Sequence, residues 1–244
     1  MDTAVSGLYE RFKITDYREE MMLKKLYEEY FPSLMKELNK ISTNDYSPTN
    51  PLLINVEKSQ LKSRIPIMIF GQETNDWEGA LSNKIDELLK VYYDYYDLFQ
   101  EEPNGTIFHR YHYYIKEKLQ KKSDSKYAFI WNNICKVGIQ GKGWHGDYIE
   151  KIEQSTFNII EKEISIIKPK YFIFFTGPGY QDVSQNRLPE LKIPEESVKN
   201  FKYMKHISFK NIDGLMTYHP NYINRNGKEK HLKYIVDDII TKTT

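Results

Sequence analysis

The stretch IPIMIFGQETNDW, residues 65–77, decides the fold class. It contains an apolar run, residues 67–70, that ends abruptly at Gly71. A short apolar run bounded by turn-forming residues is typical of a strand buried on both faces of a parallel sheet. Four polar side chains follow the glycine directly: Gln72, Glu73, Thr74 and Asn75. Polar groups at the end of a buried strand indicate a functional site at that edge of the sheet.

The composition limits the classes of protein to consider. The chain has 244 residues, with 35 basic and 34 acidic side chains, so its charge is close to neutral and leaves a nucleic-acid partner open. Its one cysteine, Cys135, cannot form a disulfide within the chain or belong to a cysteine cluster that holds zinc or iron–sulfur. Because no apolar run reaches membrane-spanning length and no signal-peptide core is visible, we expect a cytoplasmic protein without membrane contact.

Strands and helices alternate along the sequence. After the first strand, buried strands are predicted in YAFIWNN (127–133), KPKYFIFFTGPGY (168–180) and GLMTYHPNYINR (214–225). Two helices, broken near Pro32, are predicted over residues 8–40. Further amphipathic helices are predicted at residues 80–99, 107–122, 153–167 and 228–240.

This alternation predicts an α/β fold. We expect a three-layer α/β/α sandwich with a central, mostly parallel sheet of about four strands, formed by residues 61–244. Residues 1–60 are expected to form an N-terminal helical extension. The predicted strands end at GQETN, NN, TGPGY and YHPN, so polar residues gather at the carboxyl edge, where ligands bind in such sheets.

Each of these strand ends also has a purely structural explanation. A glutamate at a strand end, such as Glu73, is more often a cap or a surface carboxylate than a catalytic group. His219 fits a turn in which the ring bonds to the backbone. Asn132 and Asn133 are ordinary loop formers, and TGPGY fits a tight turn.

Taken together and in this order, the strand ends resemble motifs of the uracil-DNA glycosylase superfamily, over roughly residues 65–240. GQETN resembles the first signature loop, which reads Gly-Gln-Asp-Pro-Tyr in the best-known branch. FIWNNICK resembles a strand that ends in a base-reading asparagine. Within it, Asn133, Ile134 and Lys136 match the Thr-Asn-Ile-Val-Lys segment of the iron–sulfur branch. IKPKYFIFFTG resembles the strand after Lys-Pro-Lys in that branch, and TYHPNYINR resembles its late Thr-Tyr-His-Pro loop.

The sequence departs from the family pattern at several positions. The cysteine ligands of the iron–sulfur branch are missing, so we expect no cluster, and no other cofactor or metal. Glu73 replaces an aspartate of the best-known branch and Thr74 replaces a proline, which suggests a less rigid loop. Asn75 replaces a tyrosine that blocks bulky groups at the pyrimidine 5-position, so its smaller side chain is expected to leave space there.

The resemblance implies a monofunctional DNA glycosylase that hydrolyses the N-glycosidic bond of a flipped pyrimidine and leaves an abasic site. Glu73 would orient and deprotonate the attacking water, and His219 would donate a hydrogen bond to the departing base. Asn133 would read the edge of the base, Gln72 would contact it, and Asn75 would line the space beside its 5-position.

The partner implied by the resemblance is DNA. Backbone amides around Gly177 and Gly179, and those after the late histidine at Asn221, would bind phosphates, and Arg225 would contact a phosphate or the minor groove. The stretch 108–122, FHRYHYYIKEKLQKK, suits single-stranded or distorted DNA, although an aromatic core face opposite a solvated lysine face is the plainer interpretation. The aromatic residues available to stack on the base are Trp77, Phe108 and Trp131.

The substrate base and the biological role stay open at this point. Uracil would make the protein a DNA repair enzyme of base excision, whereas a hydroxymethylated or more heavily decorated pyrimidine of phage DNA would make it an antiviral defence factor. The alternative is a non-catalytic nucleic-acid-binding protein that has a glycosylase fold. A Ser-His-Asp hydrolase is disfavoured because no G-x-S-x-G elbow occurs, and a P-loop enzyme is excluded because its motif is missing.

Overall fold

A six-stranded sheet lies at the centre of the part of the chain that the structure, a computed structural model, describes. The strands are β1 (Ile65–Gly71), β2 (Tyr127–Asn133), β3 (Tyr171–Phe174), β4 (Leu191–Lys192), β5 (Met204–Phe209) and β6 (Ile212–Thr217). Their order across the sheet is β2-β1-β3-β6-β5-β4. The described residues are 18–43, 47–74, 76–79, 81–82, 84–101, 106–141 and 146–244.

The α/β class is confirmed, but the expected number of about four strands is wrong. Strands β2, β1, β3 and β6 pair in parallel and correspond to the four predicted strands. Strands β5 and β4 extend the sheet in antiparallel orientation beyond β6. They escaped prediction because β4 has only two residues, and because β5, MKHISF, mixes buried apolar with polar positions and has no continuous apolar run.

Helices cover both faces of the sheet. They are α1 (Arg18–Ile41), α2 (Lys58–Leu61), α3 (Ile85–Glu101), α4 (Ile107–Lys122), α5 (Gly146–Thr156), α6 (Ile160–Ile167), α7 (Gln181–Arg187), α8 (Pro220–Arg225) and α9 (Lys228–Thr243). On β2, Trp131 packs against Phe108 of α4, whereas the next residue, Asn132, donates to Glu163 of α6 (2.9 Å). Since successive strand residues point to opposite faces, α4 and α6 lie on opposite sides of the sheet.

The predicted helix break near Pro32 is wrong for the described residues, because α1 continues through this proline. An interior proline typically costs a helix about 3 kcal/mol. Apolar residues on both sides of the proline bury one continuous face of α1, which offsets that loss: Leu23, Leu26, Tyr27, Phe31, Leu34, Met35 and Leu38. The first 17 residues of the predicted N-terminal extension lie outside the described part of the chain.

Helix α1 shares its core with the rest of the fold. Its Tyr27 hydroxyl is buried and lies 2.8 Å from Glu163 Oε1 on α6 and 3.0 Å from Ile54 O. Apolar residues 52–54 are also fully buried in the same core. Residues 18–43 and 47–60 therefore contribute side chains to the interior of the α/β domain.

The order of the strands determines where a ligand can bind. The chain passes from β1 to β2 on one side and later returns to place β3 on the other side of β1. The carboxyl end of β1 is therefore a topological switch point, the usual place for a binding crevice in a parallel sheet. Over the described ranges, no helix has both the length and the apolar character that crossing a bilayer demands.

Candidate active site

A cavity of about 610 Å³ opens at the carboxyl ends of β1 and β2. Its wall contains five of the residues that the sequence predicts for the site: Gln72, Glu73, Asn133, His219 and Asn221. Aromatic rings complete much of the wall: Trp77, Tyr95, Phe108, His109 and Trp131. Strand ends and the first turn of α4 thus form a pocket with aromatic surfaces and a few convergent polar groups, as is typical of small-molecule and base sites.

Gly71 allows the ends of β1 and β2 to approach each other closely. It pairs with Asn133 in the parallel ladder, and the next amide of that strand, Ile134 N, donates to Gly71 O (3.1 Å). A Cβ atom at position 71 would lie 2.4 Å from Asn133 Oδ1 and 3.2 Å from the Phe108 ring. Any other residue would displace both side chains from the cavity wall.

The residues after Gly71 are anchored by their own side chains. Gln72 Nε2 donates to Thr176 O (2.8 Å), so part of this amide is committed to the turn after β3. Thr74 is buried, and its hydroxyl donates to Lys136 O (3.1 Å). Thr74 therefore restrains the loop through a hydrogen bond.

Asn133 has a defined orientation of its amide. The Trp131 indole donates to Asn133 Oδ1 (3.0 Å). Since an indole N–H is only a donor, the atom that it contacts is the amide oxygen. Asn133 Nδ2 is buried and has no hydrogen-bond partner among the described residues. An unpaired buried donor at a cavity wall is suited to a ligand that brings an acceptor.

His219 carries its proton on Nε2 when the ring is neutral. Its Nδ1 accepts a hydrogen bond from the Asn221 amide (3.2 Å) at the start of α8. Burial lowers the pKa of His219 below its usual range, and the negative charge of Glu73 opposes this effect. The imidazole is therefore mostly neutral near pH 7 and can donate through Nε2. The ring lies nearly parallel to Phe108, with centroids 6.0 Å apart.

Glu73 is half-buried in the cavity wall and accepts a hydrogen bond on Oε2 from the Tyr180 hydroxyl. Burial and this hydrogen bond raise the pKa of the Tyr180 phenol well above its usual range, so it keeps its proton. Glu73 and His219 both line this cavity. The cavity thus combines a carboxylate with an imidazole that donates while uncharged, a pair suited to acid–base chemistry.

All three aromatic residues that the sequence offered for base stacking line the cavity, namely Trp77, Phe108 and Trp131. The partly exposed ring of Tyr95 lies 5.1 Å from Trp77, between centroids. The plainer interpretation of the 108–122 stretch is confirmed, because α4 buries a core face: Phe108, Tyr111, His112, Ile115 and Leu119. Its first turn nevertheless reaches the cavity.

Gly177 and Gly179 lie in the turn after β3, beside the cavity. The Gly177 amide, predicted to bind phosphate, donates to Thr217 O (2.9 Å), and the positive φ of 75° at this residue favours glycine. A Cβ atom at Gly177 would lie 4.0 Å from His219 N, so the turn adjoins the histidine loop. A Cβ atom at Gly179 would meet nothing within 4 Å, so that glycine borders open space.

Asn221 and Arg225 lie on α8, close to His219. The backbone amide of Asn221 donates to His219 Nδ1. The group of Asn221 that a ligand in the cavity can contact is therefore its side chain. Arg225 is exposed, and its Nε donates to Asn221 O (3.1 Å). The remaining guanidinium donors of this arginine face solvent at the side of the helix.

One predicted site residue, Asn75, lies outside the described residues, so the space beside a pyrimidine 5-position stays a prediction. The sequence did not single out Tyr180, Tyr95 or His109 for the site. Tyr180 is the last residue of the TGPGY motif, for which the sequence predicts a role only at the two glycines. Burial lowers the pKa of His109 to about 4, so this ring is also neutral near pH 7.

Within the described ranges, no group of three or more His, Cys, Asp or Glu side chains is arranged to hold a metal ion. A scan of the chain against models of known protein families and a comparison with curated proteins both find no match.

Proposed function

We propose that the protein is a monofunctional DNA glycosylase of the uracil-DNA glycosylase type, which removes a flipped pyrimidine and leaves an abasic site. The observation that carries this proposal is the convergence of Glu73, Asn133 and His219 in one aromatic cavity at the carboxyl edge of the sheet. These three residues come from the ends of three different strands, and each has the chemistry that one part of the reaction needs.

The reaction breaks the bond between C1′ of the sugar and the ring nitrogen of the base. The bonding electron pair leaves with the base, and the sugar becomes cationic in character. Water adds to C1′, and the Glu73 carboxylate takes the proton that this water loses. The base anion then takes up a proton, so charge and atoms balance. A carboxylate near C1′ also stabilises the cationic sugar electrostatically.

His219 stabilises the departing base. Negative charge develops on a carbonyl oxygen of the pyrimidine as the bond breaks, and a preorganised donor is typically worth roughly 3–4 kcal/mol at such a position. The Asn221 amide orients the ring through Nδ1, which leaves Nε2–H as the donor. Because burial lowers the pKa of His219, the imidazole is uncharged near neutral pH. It therefore donates its hydrogen bond as a neutral ring.

Asn133 and the aromatic wall hold the flipped base. The free Asn133 donor pairs with an acceptor on the base edge, and the rings of Trp77, Phe108 and Trp131 supply apolar surface for the extruded base. Flipping costs a few kcal/mol, which these contacts offset. Candidate bases are uracil and 5-modified pyrimidines, including decorated bases of phage DNA. The enzyme would act in the cytoplasm, in base excision or in antiviral defence.

The test is an abasic-site assay. Oligonucleotides with uracil, 5-hydroxymethyluracil or 5-hydroxymethylcytosine, and glucosylated phage DNA, are incubated with the protein and then cleaved with alkali. We expect release of at least one base, and a decrease of about 10²–10⁴-fold in Glu73→Gln, because this variant lacks the base that deprotonates water.

The matched control is Glu195→Gln, which removes a carboxylate from an exposed position away from the cavity and is expected to keep full activity. DNA binding without base release on any of these substrates would contradict the proposal. That result would favour the alternative, a nucleic-acid-binding protein that has a glycosylase fold.

A further inference from the structure

The TGPGY turn, residues 176–180, contacts two of the polar residues that follow β1, Gln72 and Glu73. Its first carbonyl, Thr176 O, accepts a hydrogen bond from Gln72 Nε2 (2.8 Å). Its last residue, Tyr180, donates its hydroxyl to Glu73 Oε2. One turn therefore holds two side chains that line the cavity. The sequence predicts that the glycine amides of this turn bind phosphate.

The turn itself is fixed by hydrogen bonds to the rest of the fold. The Gly177 amide donates to Thr217 O (2.9 Å), and the Ser184 hydroxyl donates to Tyr180 O (2.7 Å). The Tyr180 side chain is buried, with 6% of its surface exposed. A phenol that is packed in this way approaches the carboxylate from a single direction.

The Tyr180 phenol keeps its proton near neutral pH. Burial and the Glu73 carboxylate both raise the pKa of this phenol. The hydroxyl therefore acts as a donor, and a hydrogen bond to an ionised carboxylate is stronger than one between neutral groups.

We propose that Tyr180 is a positioning residue for Glu73, which holds one carboxylate oxygen so that the carboxylate keeps its orientation toward the cavity. This inference rests on the proposed function, in which Glu73 orients and deprotonates water. General-base catalysis depends on the angle and distance between the carboxylate and the water, and a displacement of about 1 Å can reduce a rate by roughly 10²-fold.

The test compares Tyr180→Phe with wild type in single-turnover base release and in affinity for uncleaved DNA. We expect release to slow by about 10–100-fold. The dissociation constant for DNA is expected to change less than about twofold, since the phenol lies behind the carboxylate. Slower release with nearly unchanged DNA affinity is not expected from a general loss of structure.

The matched control is Tyr171→Phe, because the Tyr171 hydroxyl donates to the carboxylate of Asp238 at the opposite end of β3. It removes the same kind of bond away from the cavity, so it is expected to keep full activity and to show the same small decrease in melting temperature. In the Glu73→Gln background, the additional Tyr180→Phe change is expected to alter the residual rate less than twofold, because the two residues act as one unit.

Five outcomes would overturn the inference. If Tyr180→Phe releases base at the wild-type rate, the positioning role of Tyr180 is overturned, while the proposed function is unaffected. Faster release would show that the hydrogen bond from Tyr180 hinders the action of Glu73 instead of supporting it. A loss of DNA affinity, or a melting temperature far below that of Tyr171→Phe, would assign a structural role. Wild-type protein that releases no base would overturn the inference together with the proposed function.

Discussion

At the end of β2, the Trp131 indole and the Asn133 amide oxygen are joined by a hydrogen bond of 3.0 Å. The amide oxygen also lies against Gly71, so close that a Cβ atom there would be 2.4 Å away. These two contacts fix the amide oxygen on the protein side and leave Nδ2 as the unpaired group of the amide. Under the proposed function, a base edge with an acceptor at this position would be favoured over an edge with a donor.

Trp131→Phe is expected to weaken this selection. Without the indole donor, the amide can rotate and offer its oxygen instead, so base release should slow by about 2–10-fold, which corresponds to one hydrogen bond of about 0.5–1.5 kcal/mol. The ratio of release rates among different pyrimidines should also narrow. Both quantities are measured in the abasic-site assay across the substrate panel.

Trp77→Phe is the comparison that separates the hydrogen bond from the size of the ring. Its indole also lines the cavity, but its N–H has no hydrogen-bond partner among the described residues. The ratio of release rates among pyrimidines could narrow equally in Trp131→Phe and Trp77→Phe. That result would show that ring size, not the orientation of the Asn133 amide, controls base selection.

At the scale of elements, a buried network around one ion pair joins β2, α6 and α1. Lys136 Nζ lies 2.7 Å from Glu163 Oε2, and both side chains are almost completely buried. Burial lowers the pKa of the Lys136 ammonium, and the Glu163 carboxylate opposes that effect. Tyr27 and Asn132 donate further hydrogen bonds to the carboxylate. Asn132 Oδ1 in turn accepts a hydrogen bond from the backbone amide of Asn133 (2.8 Å), so the network extends to the cavity wall.

Glu163→Gln is expected to reduce the free energy of unfolding by about 3–5 kcal/mol, because it leaves the ammonium of Lys136 buried without a counter-charge. Urea unfolding of the purified variant measures this change. Adding Lys136→Met removes the unpaired charge and should restore part of the loss. A decrease below about 1 kcal/mol in the single variant would show that the pair is not needed to hold these three elements together.

The same elements explain what the sequence could predict. Continuous apolar runs mark β1, β2 and β3 because a parallel strand covered by helices is buried on both faces. The short β4 and the mixed β5 lack that signal. The gathering of five residues in one cavity wall was predictable, because the carboxyl ends of parallel strands meet at one edge: Gln72, Glu73, Asn133, His219 and Asn221. The partners Tyr180 and Trp131 were not, because the direction of a side chain depends on tertiary packing.

At the scale of the whole molecule, several buried histidines should make the protein sensitive to acid. Burial lowers the pKa of His109 to about 4, and burial together with His109 lowers the pKa of His112 to about 3. An unfolded histidine has a pKa of about 6.5. Below pH 6.5 the unfolded chain therefore binds protons that the folded protein does not, and the free energy of unfolding falls as the pH decreases.

We expect this decrease to be visible between pH 6.5 and 5, a window in which both rings stay neutral in the folded protein and most carboxylates remain ionised. Each ring contributes up to about 1.4 kcal/mol per pH unit once its unfolded form is fully protonated. Urea unfolding at several pH values gives the slope, and His112→Gln should reduce it by up to that amount because one titrating group is removed. An identical slope in the variant would mean that His112 takes up a proton in the folded protein, and its burial against Phe108 would then have to open at mildly acidic pH.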